Sequence, residues 1–354
     1  MVNPVIARTE INDICILRLS ALGDICQFLP TYNAIKEHYP AANIHWVIGK
    51  IEHQLVYDLA DVNFIIIDKK QAARSFLHYR KQIKQSRFDL LIHAQTSLRA
   101  NLLAWMTPAT IKLGFDKYRS RELHFQVCNQ HAGPAPDQHQ VEDFLDLAAA
   151  TGADTHHIKW NLPVPAEASA FADEHIRAHQ PILVINACSS LSRRVHRNWS
   201  AAGYAEVARY AHQTYGVQIV LCGGPTELEQ QTAARIVQLA SIPLINLCGR
   251  TSLKQLCAVL HKADALLTSD SGPAHIANAV GSKVIALHAA TNPLQIGPYG
   301  QQAYWINHYQ QAIQAEYRKP ADQLTWGARA HGVDVMSTIT TDEVKQKIDL
   351  IFGR

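Results

Sequence analysis

Residues 268–300, TSDSGPAHIANAVGSKVIALHAATNPLQIGPYG, concentrate polar side chains at the ends of two apolar runs. The first run, ALLTSD, ends in Asp270 and Ser271. Gly272 then opens a short helix, with Pro273 in its first turn, where a missing N–H costs little. VIAL reads as a buried parallel strand, followed by Thr291, Asn292 and Pro293. A helix start behind a strand end offers free N–H groups and a positive dipole end, which suit a phosphate or diphosphate. Ordinary caps would explain the turn by itself. The gathering of Asp270, Ser271, Gly272, His275, Thr291 and Asn292 at two successive strand ends favours a ligand site, because open α/β sheets bind ligands along that edge.

Four further stretches carry the same chemistry. In SALGD, residues 20–24, Gly23 permits a tight turn, and Asp24 is either a helix cap or a carboxylate able to take a proton from an acceptor hydroxyl. In NACSSLSRRVHRNWS, residues 186–200, Ser189 and Ser190 can donate to phosphate oxygens, while Arg193, Arg194 and Arg197 supply charge for a diphosphate. Trp199 beside them reads as a packing anchor. In CGGPTELE, Glu227 could accept from ribose hydroxyls, or serve only as a first-turn acid complementing a helix dipole. CGRTSL places Thr251 or Ser252 at another helix start, next to Arg250. No GxGxxG occurs, which disfavours a nicotinamide or flavin dinucleotide fold. No DxD pair, CxxC or HExxH occurs either, so phosphate charge would fall to Arg, Ser and helix dipoles, and no metal site is expected.

The elements needed to hold these stretches are legible as strands alternating with helices. ICILRL, IHWVIG, FIIID, FDLLIHA and IKLGF are strand candidates in the first half, with helices near 22–39, 51–60, 70–86, 98–106 and 139–152. Pro30 is expected early in the first of these helices and Pro40 at its end. Two prolines in NLPVPAEASA mark a boundary, after which the alternation restarts with PILVINA, VQIVLCGG, IPLINLCG, ADALLTSD and KVIALHA. The expected organisation is α/β throughout: an acceptor-binding Rossmann-like domain at 1–165 and a nucleotide-sugar-binding one at 166–335. A final helix at 336–354, opened by a capping box from Thr340 to Glu343, is expected to pack back on the first domain. Two doubly wound sheets of this kind are expected to face a central cleft.

Composition narrows the classes. The chain of 354 residues, 47% hydrophobic and 18% charged, is that of an ordinary globular protein with about two domains. A net charge of +3 is too mild for a nucleic-acid binder. Its distribution is uneven: twelve basic residues and two acids lie between Lys69 and Arg121, which favours an anionic partner such as a phosphorylated sugar or an acidic lipid surface. Seven scattered cysteines within apolar runs read as reduced core residues of a cytoplasmic protein. The start lacks the apolar core of a signal peptide, and no run reaches the roughly 18 apolar residues of a membrane span.

SALGD, HRNWS, GGPTE, CGRTSL, DSGPAHIANAVGSKVIALHAATNP and GPYG, in that order, resemble the ADP-heptose:lipopolysaccharide heptosyltransferases, over nearly the whole chain and most like the heptosyltransferase I type. The resemblance implies a GT-B fold and metal-free, inverting transfer of heptose from ADP-heptose to the Kdo of a lipopolysaccharide inner core. ADP-heptose would be a co-substrate, with no cofactor. The enzyme would be a monomer, peripheral at the cytoplasmic face of the inner membrane, with a Kdo-lipid A type acceptor and no nucleic-acid partner. Asp24 matches the catalytic residue of the Gly-Asp turn. Arg197 stands where Lys is usual, and Ser189 and Ser190 where a Thr pair is common. Asp270, Ser271, Gly272 and His275 match the diphosphate loop, Glu227 the ribose side, and Arg250 to Ser252 the adenine side. Gly23, Arg74, Arg99 and Arg121 would serve the acceptor. A later heptose addition and a nucleotide-sugar epimerase are the alternatives that would use the same diphosphate cradle.

Overall fold

Short apolar runs rich in Ile, Val and Leu become strands buried on both faces, and the amphipathic stretches between them become the helices that cover those faces. The computed structural model describes residues 6, 10–177, 179–188 and 196–353. The chain divides into two compact units, Met1–Pro163 and Val164–Arg354, so the change of unit falls between Pro163 and Pro165.

The strands of the first unit are β1 (Asp13–Leu17), β2 (Asn43–Gly49), β3 (Val62–Ile67), β4 (Phe88–His93), β5 (Ala109–Gly114) and β6 (Gln130–His131). Its helices are α1 (Leu22–His38), α2 (Lys50–Val56), α3 (Ala72–Ile83), α4 (Leu98–Met106), α5 (His124–Val127) and α6 (Gln140–Ala149). The six strands form one parallel sheet in the order β3-β2-β1-β4-β5-β6. Strand order therefore reverses between β1 and β4, and the carboxyl ends of these neighbours open the crevice where such sheets bind ligands. Pro30 lies in the interior of α1 rather than early in it, because the helix already begins at Leu22. Burial of Phe28, Leu29, Pro30, Thr31 and Tyr32 carries the helix through the residue that cannot donate.

The second unit contains α7 (Ala166–His175), β7 (Ile182–Asn186), α8 (Ala201–Tyr215), β8 (Gln218–Cys222), α9 (Glu227–Ala240) and β9 (Ile245–Asn246). It continues with α10 (Leu253–Lys262), β10 (Ala265–Ser269), α11 (Gly272–Ala279), β11 (Lys283–His288), α12 (Pro293–Ile296), β12 (Ile306–Asn307), α13 (Tyr309–Tyr317) and α14 (Thr341–Phe352). Its parallel sheet runs β12-β11-β10-β7-β8-β9, the same winding as the first, with the switch between β7 and β10.

The helix expected to pack back on the first domain instead packs within the second unit. The capping box forms, with Thr340 N–H donating to Glu343 at 2.9 Å. Val344, Ile348 and Ile351 join the second unit's core with Ala208 and Ala211 of α8. Tyr210 and Tyr215, also of α8, donate to Asp349 Oδ1 at 2.7 and 2.8 Å. Two phenols converging on one carboxylate specify that docking beyond its apolar area. All seven cysteines are buried thiols, none in a disulfide.

Candidate active site

At the first switch point the chain leaves β1 through Arg18. Its side chain is only 7% exposed and lies over the Phe144 ring, 4.9 Å from the centroid. Arg18 Nη1 donates to Ala94 O at 2.5 Å, which ties the loop after β1 to the end of β4. Gln95 adds a second tie, its Oε1 accepting Leu19 N–H at 2.7 Å and Ser20 N–H at 3.3 Å. Into this fixed turn projects Asp24, in the first turn of α1. Its Oδ2 accepts Ala21 N–H at 2.7 Å and pairs with Arg18 Nη2 at 2.6 Å. Both readings of Asp24 therefore meet in one residue, since it completes the helix start and presents a carboxylate at the sheet edge. Its side chain is 31% exposed, and Oδ1 has no partner among the described residues, so that oxygen is placed to take a proton.

Gly23 is buried in the same turn, while Arg74 on α3, Arg99 on α4 and Arg121 before α5 are exposed and form no salt bridge among the described residues. Part of the basic excess between Lys69 and Arg121 is answered by the fold. Lys69 pairs with Glu52 at 2.7 Å, and Lys112 donates to the backbone of Ala104 at 2.8 Å. Arg119 meets three carboxylates, Asp116, Asp143 and Asp146, at 2.5, 3.1 and 2.5 Å. These three cations are structural, and the free charge is smaller than the count implied.

The second switch point lies between the ends of β7 and β10. Thr268 Oγ1 comes within 3.0 Å of Ser271 Oγ and 3.4 Å of Asn186 Oδ1, linking the two strands. Arg197 Nη1 donates to Asp270 Oδ2 at 2.6 Å, with the two side chains 5% and 9% exposed. Burial alone would raise the Asp270 carboxyl. Arg197, then His288, His275 and Arg329, outweigh it and hold the group below its ordinary value. His288, at the end of β11, is pushed down to about 4 by burial, against the pull of Asp270, and is neutral at physiological pH. The pair is thus an ionised couple with neutral imidazole beside it.

Ser271 is the N-cap of α11, but its hydroxyl does not bond to the helix N–H groups, since it turns toward Thr268. The helix start is left without a side-chain cap, a condition that suits an anion. Asn292 caps the next short helix, accepting Leu294 N–H at 3.1 Å. Ser252, in contrast, forms a full capping box with Gln255. Arg250 beside it is exposed and Thr251 half-buried. Glu227 is exposed in the first turn of α9 and accepts from Gln231 at 2.8 Å. Ser189, Ser190, Arg193 and Arg194 lie outside the described residues.

Four side chains that sequence reasoning passed over help build these sites. Arg18 and His288 each sit at the end of an otherwise apolar strand run, ILR and VIALH, and a polar residue closing such a run is the signal that could have marked them. Gln95 carries no local signal. Glu229, two residues beyond Glu227, is the carboxylate that turns inward, accepting Gly224 N–H at 2.7 Å and the Thr226 hydroxyl at 2.5 Å. Trp199 is the anchor expected of it, buried and donating to Ile339 O at 3.1 Å. Among the described residues no group of three or more His, Cys, Asp or Glu could hold a metal ion.

A family model for glycosyltransferase family 9 (heptosyltransferase) matches residues 76–325. The sequence is 35% identical over 333 residues to the lipopolysaccharide core heptosyltransferase OpsX of Haemophilus influenzae, covering 94% of this chain and 95% of that protein. It is 23% identical over 307 residues to lipopolysaccharide heptosyltransferase 3 of Escherichia coli, covering 84% and 87%. Among solved structures, a family 9 glycosyl transferase from Veillonella parvula superposes with a TM-score of 0.78 at 22% identity, covering 96% of this chain and 97% of that one. The E. coli heptosyltransferase WaaC, solved with ADP-2-deoxy-2-fluoro heptose, gives 0.72 at 20% identity, covering 96% and 99%. At those identities the two structures speak for the fold, and the sequence matches speak for the family.

Proposed function

The chain belongs to glycosyltransferase family 9, the heptosyltransferases, and from that premise we propose that it moves heptose from ADP-L-glycero-D-manno-heptose to a Kdo residue of the lipopolysaccharide inner core. In this reading transfer proceeds with inversion and without a metal ion, on a Kdo-lipid A type acceptor at the cytoplasmic face of the inner membrane, by a monomer. The observation that carries it is the uncapped start of α11 two residues beyond the buried Arg197–Asp270 pair, a site built for the diphosphate of a leaving nucleotide.

Asp24 Oδ1 takes the proton of the acceptor hydroxyl as its oxygen attacks the anomeric carbon. The bond from that carbon to the β-phosphate oxygen breaks, and ADP departs with the electron pair. Charge building on the diphosphate is met by the Gly272 N–H, the α11 dipole and Arg197, while Ser189, Ser190, Ser271 and His275 complete the loop. Glu227 holds the ribose, Arg250 and Thr251 line the adenine side, and Gly23, Arg74, Arg99 and Arg121 receive the anionic acceptor. Arg18 keeps Asp24 in one orientation, so that the proton acceptor is in place before substrate arrives.

Mass spectrometry of products from ADP-heptose and a panel of defined inner-core acceptors, with the anomeric configuration read by nuclear magnetic resonance, tests the reading. Inverted heptosyl-Kdo, formed equally in the presence of a chelator, is expected. Replacing Asp24 by Asn should lower kcat about 10²- to 10⁴-fold with ADP affinity unchanged. A retained configuration, transfer only from a UDP-sugar, or near-normal turnover by Asp24→Asn would overturn it.

A further inference from the structure

Helix α4 is apolar on two sides. Ala100, Leu103 and Ala104 face the core shared with Tyr79 and Ile83 of α3, and Tyr79 and Thr107 join the two helices through their hydroxyls at 2.5 Å. On its outer side Leu98, Leu102 and Trp105, spaced four and three residues apart, are 48%, 43% and 71% exposed. They form one continuous stripe. On α3, Leu77 is 69% exposed. Around these apolar groups the exposed charge has one sign: Arg74, Arg80 and Lys81 on α3, Lys84 just after it, and Arg99 on α4. Neither helix contains an acid. The nearby acids are engaged elsewhere, Asp68 by Lys50, Asp89 by the Asn12 and Asp13 N–H groups, and Asp116 by Arg119.

We propose that the outer face of α3 and α4 docks on an anionic lipid bilayer, with Leu98, Leu102 and Trp105 entering the headgroup–acyl boundary and the α3 cations meeting lipid phosphates. An exposed apolar stripe flanked by basic residues is the pattern of a helix lying in the interface plane, where an indole is also well placed. A second copy of this chain fits the face poorly, because a two-fold contact would set this single-sign patch against itself. No described helix is long and apolar enough to cross a membrane, so contact would be peripheral. Helix α4 starts just after Gln95, which holds the turn of Asp24. A bilayer against α4 would therefore lie beside the edge where, on the function proposed above, a lipid-anchored acceptor must arrive.

Co-sedimentation of the full chain with vesicles of phosphatidylcholine, alone or mixed with phosphatidylglycerol and cardiolipin, tests this surface. Binding is expected to the anionic vesicles, to weaken with added salt, and to fall about tenfold or more in Leu102→Gln/Trp105→Gln. Brominated lipid should quench the wild-type fluorescence more than that of Trp105→Phe. Arg80→Gln/Lys81→Gln should lose the salt-sensitive part only. Turnover of a water-soluble acceptor should be unchanged in all of these variants. Failure to bind anionic vesicles, equal binding by the Leu102/Trp105 variant, or a dimer that this variant dissociates would overturn the proposal. Normal vesicle binding with no heptosyl product from the soluble acceptor would instead refute the enzymatic reading and leave the surface standing.

Discussion

Replacing Arg197 by Met separates the structural from the ligand-binding work of the second site. In the native protein Arg197 and Asp270 form an ion pair at 2.6 Å with both side chains almost fully buried. Met fills much of the same volume but leaves the carboxylate without its main counter-charge. Breaking a buried pair by removing one partner costs about 3–5 kcal/mol, against about 5–15 kcal/mol for a whole folded domain. In a unit of this size each kcal/mol moves the midpoint by about 2–4 °C, so the loss should be on the order of 10 °C. The double variant Arg197→Met/Asp270→Asn removes both charges and should regain most of that stability, because a neutral replacement of a buried pair is nearly free of cost. ADP affinity should be reduced in both variants.

The pH dependence of that loss has a definite sign. Arg197 is the largest influence holding the Asp270 carboxyl low, and burial acts in the opposite direction. Without Arg197 the burial effect dominates and the folded-state value rises above the unfolded one, so the native state binds the proton more tightly. Stability is then retained at low pH and lost as pH rises through the folded value. The single variant should therefore be less destabilised at about pH 5 than at about pH 8. Urea unfolding followed by circular dichroism at both pH values, with calorimetric titration of ADP, measures all three quantities. A single variant that loses less than about 1 kcal/mol, the range of an exposed pair, or a double variant as unstable as the single one, would refute the reasoning.

Arg18→Met removes one of the two donors on Asp24 Oδ2 and the tie to Ala94, and should lower kcat about ten- to hundredfold with ADP affinity intact. Arg18→Lys should restore part of it, and steady-state kinetics showing an unaltered kcat in Arg18→Met would remove Arg18 from the positioning role. His288 has its folded value pushed down to about 4 by burial, whereas the unfolded residue titrates at about 6.5. Stability from this residue is complete above about pH 6.5 and falls by about 3 kcal/mol as pH drops toward 4. Burial pushes His124 of the first unit to about 4 as well, so both units should weaken over the same window. Denaturant titrations across it, with His288→Asn flattening one part of the fall, check the sign.

Much of the architecture was legible in the sequence because its causes are local. Apolar runs bounded by Gly, Pro and Asp mark strands, and Thr340 with Glu343 marks a helix start, wherever they occur in the fold. The reactive stretches follow from the same grammar, since in a parallel sheet the loops after the strands all open on one edge. The short edge strands β6 and β12 escaped notice because two residues carry no periodicity.

What the tertiary structure alone decided is which of these residues meet. Arg197 and Asp270 are 73 positions apart, and Leu19 and Gln95 are 76 apart, and nothing in either residue's neighbourhood names its partner. Arg119 looked like one more free cation until Asp143 and Asp146 of α6 reached it. Glu227 and Glu229 are equivalent on paper, and only the direction each takes from the first turn of α9 sends one to solvent and the other to the Gly224 N–H. The last helix had a readable apolar face but no address for it, and Tyr210 and Tyr215 converging on Asp349 supplied one. Local propensity acts through a few neighbouring residues, so it sets the kind of element and its ends. The partner of a buried charge is set by strand order and helix docking, which arise only when the whole apolar surface is buried together.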